Sequence, residues 1–168
     1  MVDVAKVRMF GQNIGTFVWD DSYRVARFEY DNDFVGKGIE PSPIMMPVQQ
    51  GHIYSFGGLN WDTFNGLPGM LADSLPDTYG RALFDQWLIL TGRTTSNPVE
   101  SLCFLGQRCM GALEFEPATG PSSDANMKFE IDTLIDVARE ALSKKQDFGV
   151  NLDVDRKEAI AEILRLGT

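Results

Sequence analysis

Val4-Ala5-Lys6-Val7-Arg8-Met9-Phe10-Gly11-Gln12-Asn13-Ile14-Gly15-Thr16-Phe17-Val18-Trp19 sets the architecture of this chain. Side chains of an extended strand point alternately to opposite faces. Ala5, Val7 and Met9 therefore share one face, and Val4 and Phe10 share the other. Gly11-Gln12-Asn13 reads as a turn, and Ile14 to Trp19 resumes the apolar run, which predicts a hairpin. Asp20-Asp21-Ser22 makes a second turn, and Arg24 to Tyr30 then alternates charged and apolar residues. Together these predict a three-stranded antiparallel meander with one wet face. Gly111-Ala112-Leu113-Glu114-Phe115-Glu116 is a strand that could return to it.

Between the meander and that strand the pattern changes. Pro41-Ser42-Pro43-Ile44-Met45-Met46-Pro47-Val48 carries three prolines, so it is expected as an edge or extended cover segment. Gln49 to Trp61 reads as loop. Pro68 suits a first helical position, and Met70, Leu71 and Leu75 give that short helix an apolar side before Pro76 ends it. Asp77 is placed to cap a helix that runs to Thr91, with Gly92 beyond its end. Its expected core stripe is Tyr79, Leu83, Trp87 and Leu90. Asn97-Pro98-Val99-Glu100 supplies a cap, a proline and an acidic residue for a helix that stops near Gly106. Pro117 to Met127 is the best linker, and beyond it Asp132 to Ser143 and a helix capped at Asp155 form a pair. The expected fold is α+β: a small antiparallel sheet or open β-barrel lobe over 1–116, with a helical layer. A linker over 117–127 and a C-terminal helix pair over 128–168 follow.

The 168 residues hold 15 Lys+Arg against 24 Asp+Glu, a formal charge of −9. A chain of this size buries roughly 70% of the surface its unfolded state exposes, enough for one core. The acidic balance argues against a sequence-independent grip on DNA or RNA and against an anionic membrane surface. No apolar run is long enough to span a membrane, and the N-terminus lacks the pattern of a signal peptide, so a cytoplasmic location is expected.

The inventory for chemistry is poor. His52 is the only histidine and stands in a Gly/Gln loop without a second ligand at metal spacing. Cys103 and Cys109 lack the spacing of a zinc knuckle or a redox pair; Cys103 falls on the inner side of an apolar helix. Gly106 and Gly111 flank Arg108, but no Lys and Ser/Thr follow as a phosphate loop requires. Gly106 is expected to close the helix and Gly111 to open the strand, with Arg108 bracing carbonyls or a carboxylate. Asp73 and Asp77 lie four apart across a helix break, where paired carboxylates can do acid–base work, but both residue types also cap helices.

One long stretch goes further. Gly66-Leu67-Pro68-Gly69-Met70-Leu71-Ala72-Asp73-Ser74-Leu75-Pro76-Asp77-Thr78-Tyr79-Gly80-Arg81 resembles the signature of the N-terminal domain of HipA-family toxins. Gly106-Gln107-Arg108-Cys109-Met110-Gly111-Ala112-Leu113 resembles the family's helix-to-strand segment, and Ser42-Pro43-Ile44-Met45-Met46-Pro47 its extended Ser/Leu/Pro strand. The signature positions carried by the resemblance are Pro68, Ala72, Asp73, Ser74, Leu75, Pro76, Asp77, Gly80, Arg81, Gly106, Arg108, Gly111 and Ala112.

The resemblance implies a small β-barrel-like lobe with helices packed on it. Full-length HipA-family proteins are bacterial serine/threonine kinases, the toxin half of a toxin–antitoxin pair, quieted by a HipB-like helix-turn-helix antitoxin. Their Gly-rich ATP loop, catalytic Asp, metal-binding Asp and phosphate-holding Lys have no counterpart in this sequence, and phosphoryl transfer needs all of them. No catalytic, cofactor or metal residue is therefore carried over; ATP and magnesium belong to the expected parent. The chain is expected to be an N-terminal, non-catalytic piece that braces a kinase core and contributes to antitoxin binding. It is expected to expose an apolar patch beside its C-terminal helix pair, through which a homodimer could form. Two alternatives stand: a stand-alone HipS-like regulator of a separate kinase, and an independent small enzyme using Asp73, Asp77, Arg81 or Arg108.

Overall fold

The computed structural model of the chain describes residues 1–121; the expected helix pair over 128–168, its neighbouring apolar patch and most of the linker lie outside them. Five strands, β1 (Val4–Met9), β2 (Gln12–Asp20), β3 (Val25–Tyr30), β4 (Ile53–Tyr54) and β5 (Leu113–Glu116), form one open antiparallel sheet in the order β4-β3-β2-β1-β5. The meander is its centre. β5 returns beside β1 with Val7 opposite Phe115.

The alternation works as the sequence dictates. Ala5, Val7, Phe17, Ala26, Phe28, Tyr30 and Phe115 are buried on one face, while Val4 and Val18 stay exposed on the other. Phe17 meets Phe115 edge-on at 5.8 Å, and Phe28 meets Tyr30 edge-on at 4.8 Å. Each such side chain contributes about 1.5–3 kcal/mol by leaving water. The register slips between Val7 and Arg8, which pair with Gly15 and Asn13. The extra residue, Ile14, is a bulge that lets Ile14 and Gly15 both be buried.

The turns differ from the sequence reading by a residue. The first bend is at Phe10-Gly11, both at positive φ (50° and 75°), and β2 has resumed by Gln12. Two left-handed residues match the twist of a two-residue hairpin, which three residues at Gly11-Gln12-Asn13 would not. Arg24 belongs to the second turn rather than to β3, at φ 52°. The supposed loop over Gln49 to Trp61 holds β4 and leads into α1 (Trp61–Phe64), capped by the Asn60 side chain.

The Pro41–Val48 segment is not a strand of the sheet. It closes on itself through a Ser42–Met46 bridge. Its proline-bearing backbone lacks the donors for a longer ladder. Side chains hold it instead: Tyr30 Oη donates to the Met46 carbonyl at 2.8 Å, Tyr54 Oη donates to the Pro47 carbonyl, and the Val48 amide donates to Glu40 Oε2 at 2.8 Å. Burial, with the Tyr54 and Glu40 charges, pushes the Tyr30 hydroxyl above its ordinary range, so it stays a donor.

The helices are α1, α2 (Gly69–Ala72), α3 (Thr78–Leu90) and α4 (Pro98–Leu105). α4 lies against β1, β2 and β5, and Val99, Leu102 and Cys103 enter the core. Asn97 caps it, accepting from the Glu100 amide at 2.9 Å; its own amide group donates to Val2 O and Asp3 Oδ1. The described residues fall into two compact units. One is Met1–Pro76 with Ser96–Gly120, and Asp77–Thr95, placed by the sequence inside a single lobe over 1–116, belongs to the other. Among the described side chains of α3, Phe84 and Leu88 are buried, and Tyr79, Leu83 and Trp87 are half-buried. The buried stripe is thus centred one residue beyond the expected one. Spacing identifies an apolar arc, but its centre depends on what covers it.

Candidate functional site

The Gly66–Arg81 signature starts at a point of close approach. Gly66 has φ 75°, and a Cβ there would stand 2.3 Å from the Arg24 carbonyl, 2.9 Å from the Trp61 ring and 3.1 Å from Trp19. Its carbonyl accepts the Ala26 amide at 2.8 Å, which covers part of the β3 edge. Leu67 and Leu71 are fully buried, and Met70, Ala72 and Leu75 pack against the same core. Pro68 is the N-cap of α2 (φ −57°, ψ 145°), one residue before the first helical position assigned to it. α2 ends at Ala72, four residues before the proline expected to stop it. Asp73 is its C-cap. The Ser74 and Leu75 amides close the end on Leu71 O and Ala72 O, and Ser74 is buried.

Asp77 opens α3 by accepting from the Gly80 amide at 2.8 Å. Arg81 pairs with Asp85 at 3.3 Å on an exposed face. The polar signature residues Asp77 and Arg81 thus serve a cap and a surface ion pair. Pro76, half-buried, precedes the cap.

The second signature segment is a corner between α4 and β5. Gly106 ends α4 at φ 58°, its amide donating to Leu102 O, and a Cβ there would meet Ala118 at 2.7 Å. Its carbonyl accepts the Phe115 amide at 3.0 Å, covering the outer edge of β5. Arg108 turns back on the helix: Nη2 donates to Phe104 O at 2.9 Å, and Nε to Leu105 O at 3.4 Å. The last carbonyls of a helix lack intrahelical donors, and a cation there also suits the helix dipole. Of the two partners expected for Arg108, carbonyls or a carboxylate, it is therefore the carbonyls of α4 that it braces. Burial pulls its guanidinium below the ordinary arginine value, with Cys109 opposing. Gly111 has φ 112°, and Ala112 is half-buried just before β5.

Both cysteines line this corner, and burial pushes each thiol up to about 12, Arg108 opposing at Cys109 and Glu100 adding at Cys103. A thiol so raised is protonated at neutral pH and is a poor nucleophile. His52 is exposed, with its ring 4.4 Å from Tyr54. Among the described residues no group of three or more His, Cys, Asp or Glu could hold a metal ion, and no helix is long and apolar enough to cross a membrane. The tyrosine clamp on Met46 and Pro47 escaped the sequence reading, because two separate tyrosines signal nothing until the sheet brings them together.

The described residues thus form an open five-stranded sheet joined to a glycine-locked loop and a helix whose last carbonyls are capped by an arginine. The chain belongs to the HipA N-terminal domain family, whose model matches residues 5–116. That match covers the described strands and helices from Ala5 onward. No curated protein and no solved structure matches the chain.

Proposed function

We propose that this chain serves as the non-catalytic N-terminal part of a HipA-like serine/threonine kinase toxin, bracing the kinase core and contributing to the binding of a HipB-like antitoxin. The family match over residues 5–116 carries the reading. The fate of the signature's polar groups supports it, since the Asp77 carboxylate and the Arg108 guanidinium are engaged in helix capping. ATP and magnesium are assigned to the kinase core, and DNA to the antitoxin.

The test has two arms. Residues 1–168 with radiolabelled ATP and magnesium should transfer no phosphate to themselves or to a generic acceptor. A helix-turn-helix protein encoded beside this gene should bind the chain in calorimetry. Magnesium-dependent turnover by clean protein would overturn the non-catalytic reading. Absence of binding to the neighbouring protein would remove the antitoxin role.

A further inference from the structure

Asn65-Gly66 is the only asparagine–glycine pair in the chain, and the corner that holds it carries a chemistry that neither the capping roles nor the family match uses. In an unfolded chain the Gly66 nitrogen can attack the side-chain carbonyl carbon of Asn65, and glycine, lacking a Cβ, leaves that nitrogen unshielded. The six other asparagines are followed by isoleucine, aspartate, tryptophan, proline, methionine and leucine. Each of these crowds the attack, and proline also removes the N–H.

The fold holds the pair away from that reaction. Asn65 is the C-cap of α1, half-buried, at φ 50° and ψ 33°. With that ψ, a tetrahedral Cα puts the Gly66 nitrogen nearly anti to the Asn65 Cβ, whereas closing a five-membered ring needs the two nearly eclipsed. Reaching that arrangement takes close to half a turn about the Cα–C bond. At positive φ the required ψ lies in a region that essentially only glycine occupies, so φ has to change as well. The neighbouring peptide groups resist both rotations. The Asn65 amide donates to Trp61 O, the Gly66 carbonyl accepts from the Ala26 amide, and the Leu67 amide donates to Phe64 O, each at 2.8 Å. Gly66 is pressed so close to the Arg24 carbonyl that a Cβ would stand 2.3 Å from it, and Leu67 beside it is fully buried. Turning the Asn65–Gly66 peptide therefore means breaking the bonds that tie this corner to α1 and β3.

We propose that Asn65 is a deamidation site that the folded lobe keeps closed and that unfolding of this corner opens. The Gly66 nitrogen gives up its proton and bonds to Asn65 Cγ; the Cγ–Nδ2 bond breaks, and ammonia leaves with that proton. Water then opens the succinimide at either carbonyl, leaving an aspartyl or an isoaspartyl residue at position 65. Nothing is oxidised or reduced, and water is the only co-reactant. The isoaspartyl product carries an extra methylene in the main chain. With that insertion the Ala26–Gly66 and Leu67–Phe64 bonds cannot both re-form around a contact as close as that of Gly66 with the Arg24 carbonyl. The lobe thus records its own unfolding covalently, at one position. The proposal stands apart from the kinase reading and survives its failure.

The test ages the whole chain at mildly alkaline pH, in buffer and in concentrated urea. Peptide mass mapping reads each asparagine, and isoaspartyl-specific methylation identifies the rearranged product. In urea, modification at Asn65 should outpace that at Asn32 and Asn60. In buffer it should be slower than in urea by about tenfold or more, because only the open fraction reacts. After removal of urea, isoaspartyl chains should refold to a lower urea midpoint than unaged chains. Asn65→Gln, whose longer side chain does not close the five-membered ring, should keep its own unaged midpoint through the same treatment. Four results would each overturn the proposal: modification at Asn65 as fast in buffer as in urea; modification in urea no faster at Asn65 than at Asn32 and Asn60; an isoaspartyl chain with the midpoint of the unaged one; or an equal loss of midpoint in aged Asn65→Gln.

Discussion

Replacing Arg108 by methionine tests whether the α4–β5 corner is a capping device. The bond from Nη2 to Phe104 O, 2.9 Å long and half-buried, is the main loss; the 3.4 Å contact of Nε to Leu105 O adds little. Hydrogen bonds to charged groups contribute about 1.5–3 kcal/mol, and partial exposure places this one near the middle of that range, about 2 kcal/mol. Methionine keeps most of the side-chain packing over Phe104, whose ring lies 5.8 Å from the guanidinium carbon. For a chain of this size about 2 kcal/mol corresponds to a fall in Tm of about 4–8 °C. Urea unfolding followed by tryptophan fluorescence reads the change directly, with an unchanged slope showing that the folded state is otherwise intact. Arg108→Lys should recover only part of the loss, because an ammonium lacks the planar fork. Gly120→Ala should be non-additive with Arg108→Met, since a Cβ at Gly120 would stand 2.3 Å from Nη2. Loss of less than about 0.5 kcal/mol in Arg108→Met would refute the capping role.

Gly66→Ala should cost about 2 kcal/mol or more, from positive φ and a 2.3 Å approach to the Arg24 carbonyl, measured as a lower urea midpoint. Tyr30→Phe should cost about 1–2 kcal/mol by leaving the buried Met46 carbonyl without its donor, while Tyr54→Phe should lower stability independently through Pro47; a double-mutant cycle in urea checks both. The two thiols predict a pH dependence. Their folded values of about 12 stand above the ordinary 9.0, so the unfolded chain loses these protons first. The stabilisation is complete below pH 9.0 and is lost as pH rises toward 12; an unfolding midpoint that stays level across that interval would contradict it. In the same proteins a thiol-reactive dye should label Cys103 only on unfolding.

The local chemistry of most elements was legible in the sequence because it is local. The alternation from Val4 to Tyr30 depends only on the two-residue repeat of a strand. The caps at Asp77 and Asn97 depend only on a short polar side chain preceding a helix. The HipA resemblance was carried by three short contiguous stretches and needed no geometry. What the sequence hid was short or non-local. β4 has two residues, too few for a pattern, and exists because Tyr54 and Ile53 find Phe28 and Glu29 across the sheet. The prolines at 41, 43 and 47 correctly excluded a central strand, but the bridged turn they sit in is held by hydroxyls from Tyr30 and Tyr54.

By itself, then, the chain's order of residues determined the antiparallel meander, the capped helical starts at Asp77 and Asn97, and the family. Neighbours a few positions apart decide those features, and the chain always keeps such neighbours together. Tertiary structure alone decided which arc of α3 is buried, that Arg108 serves the carbonyls of α4, and that Arg24, close to Asp20 and Asp21 in sequence, stacks on Trp61 and forms no ion pair among the described residues. Each depends on groups brought together across the fold, and whether a charge is compensated is a matter of distance in space rather than along the chain.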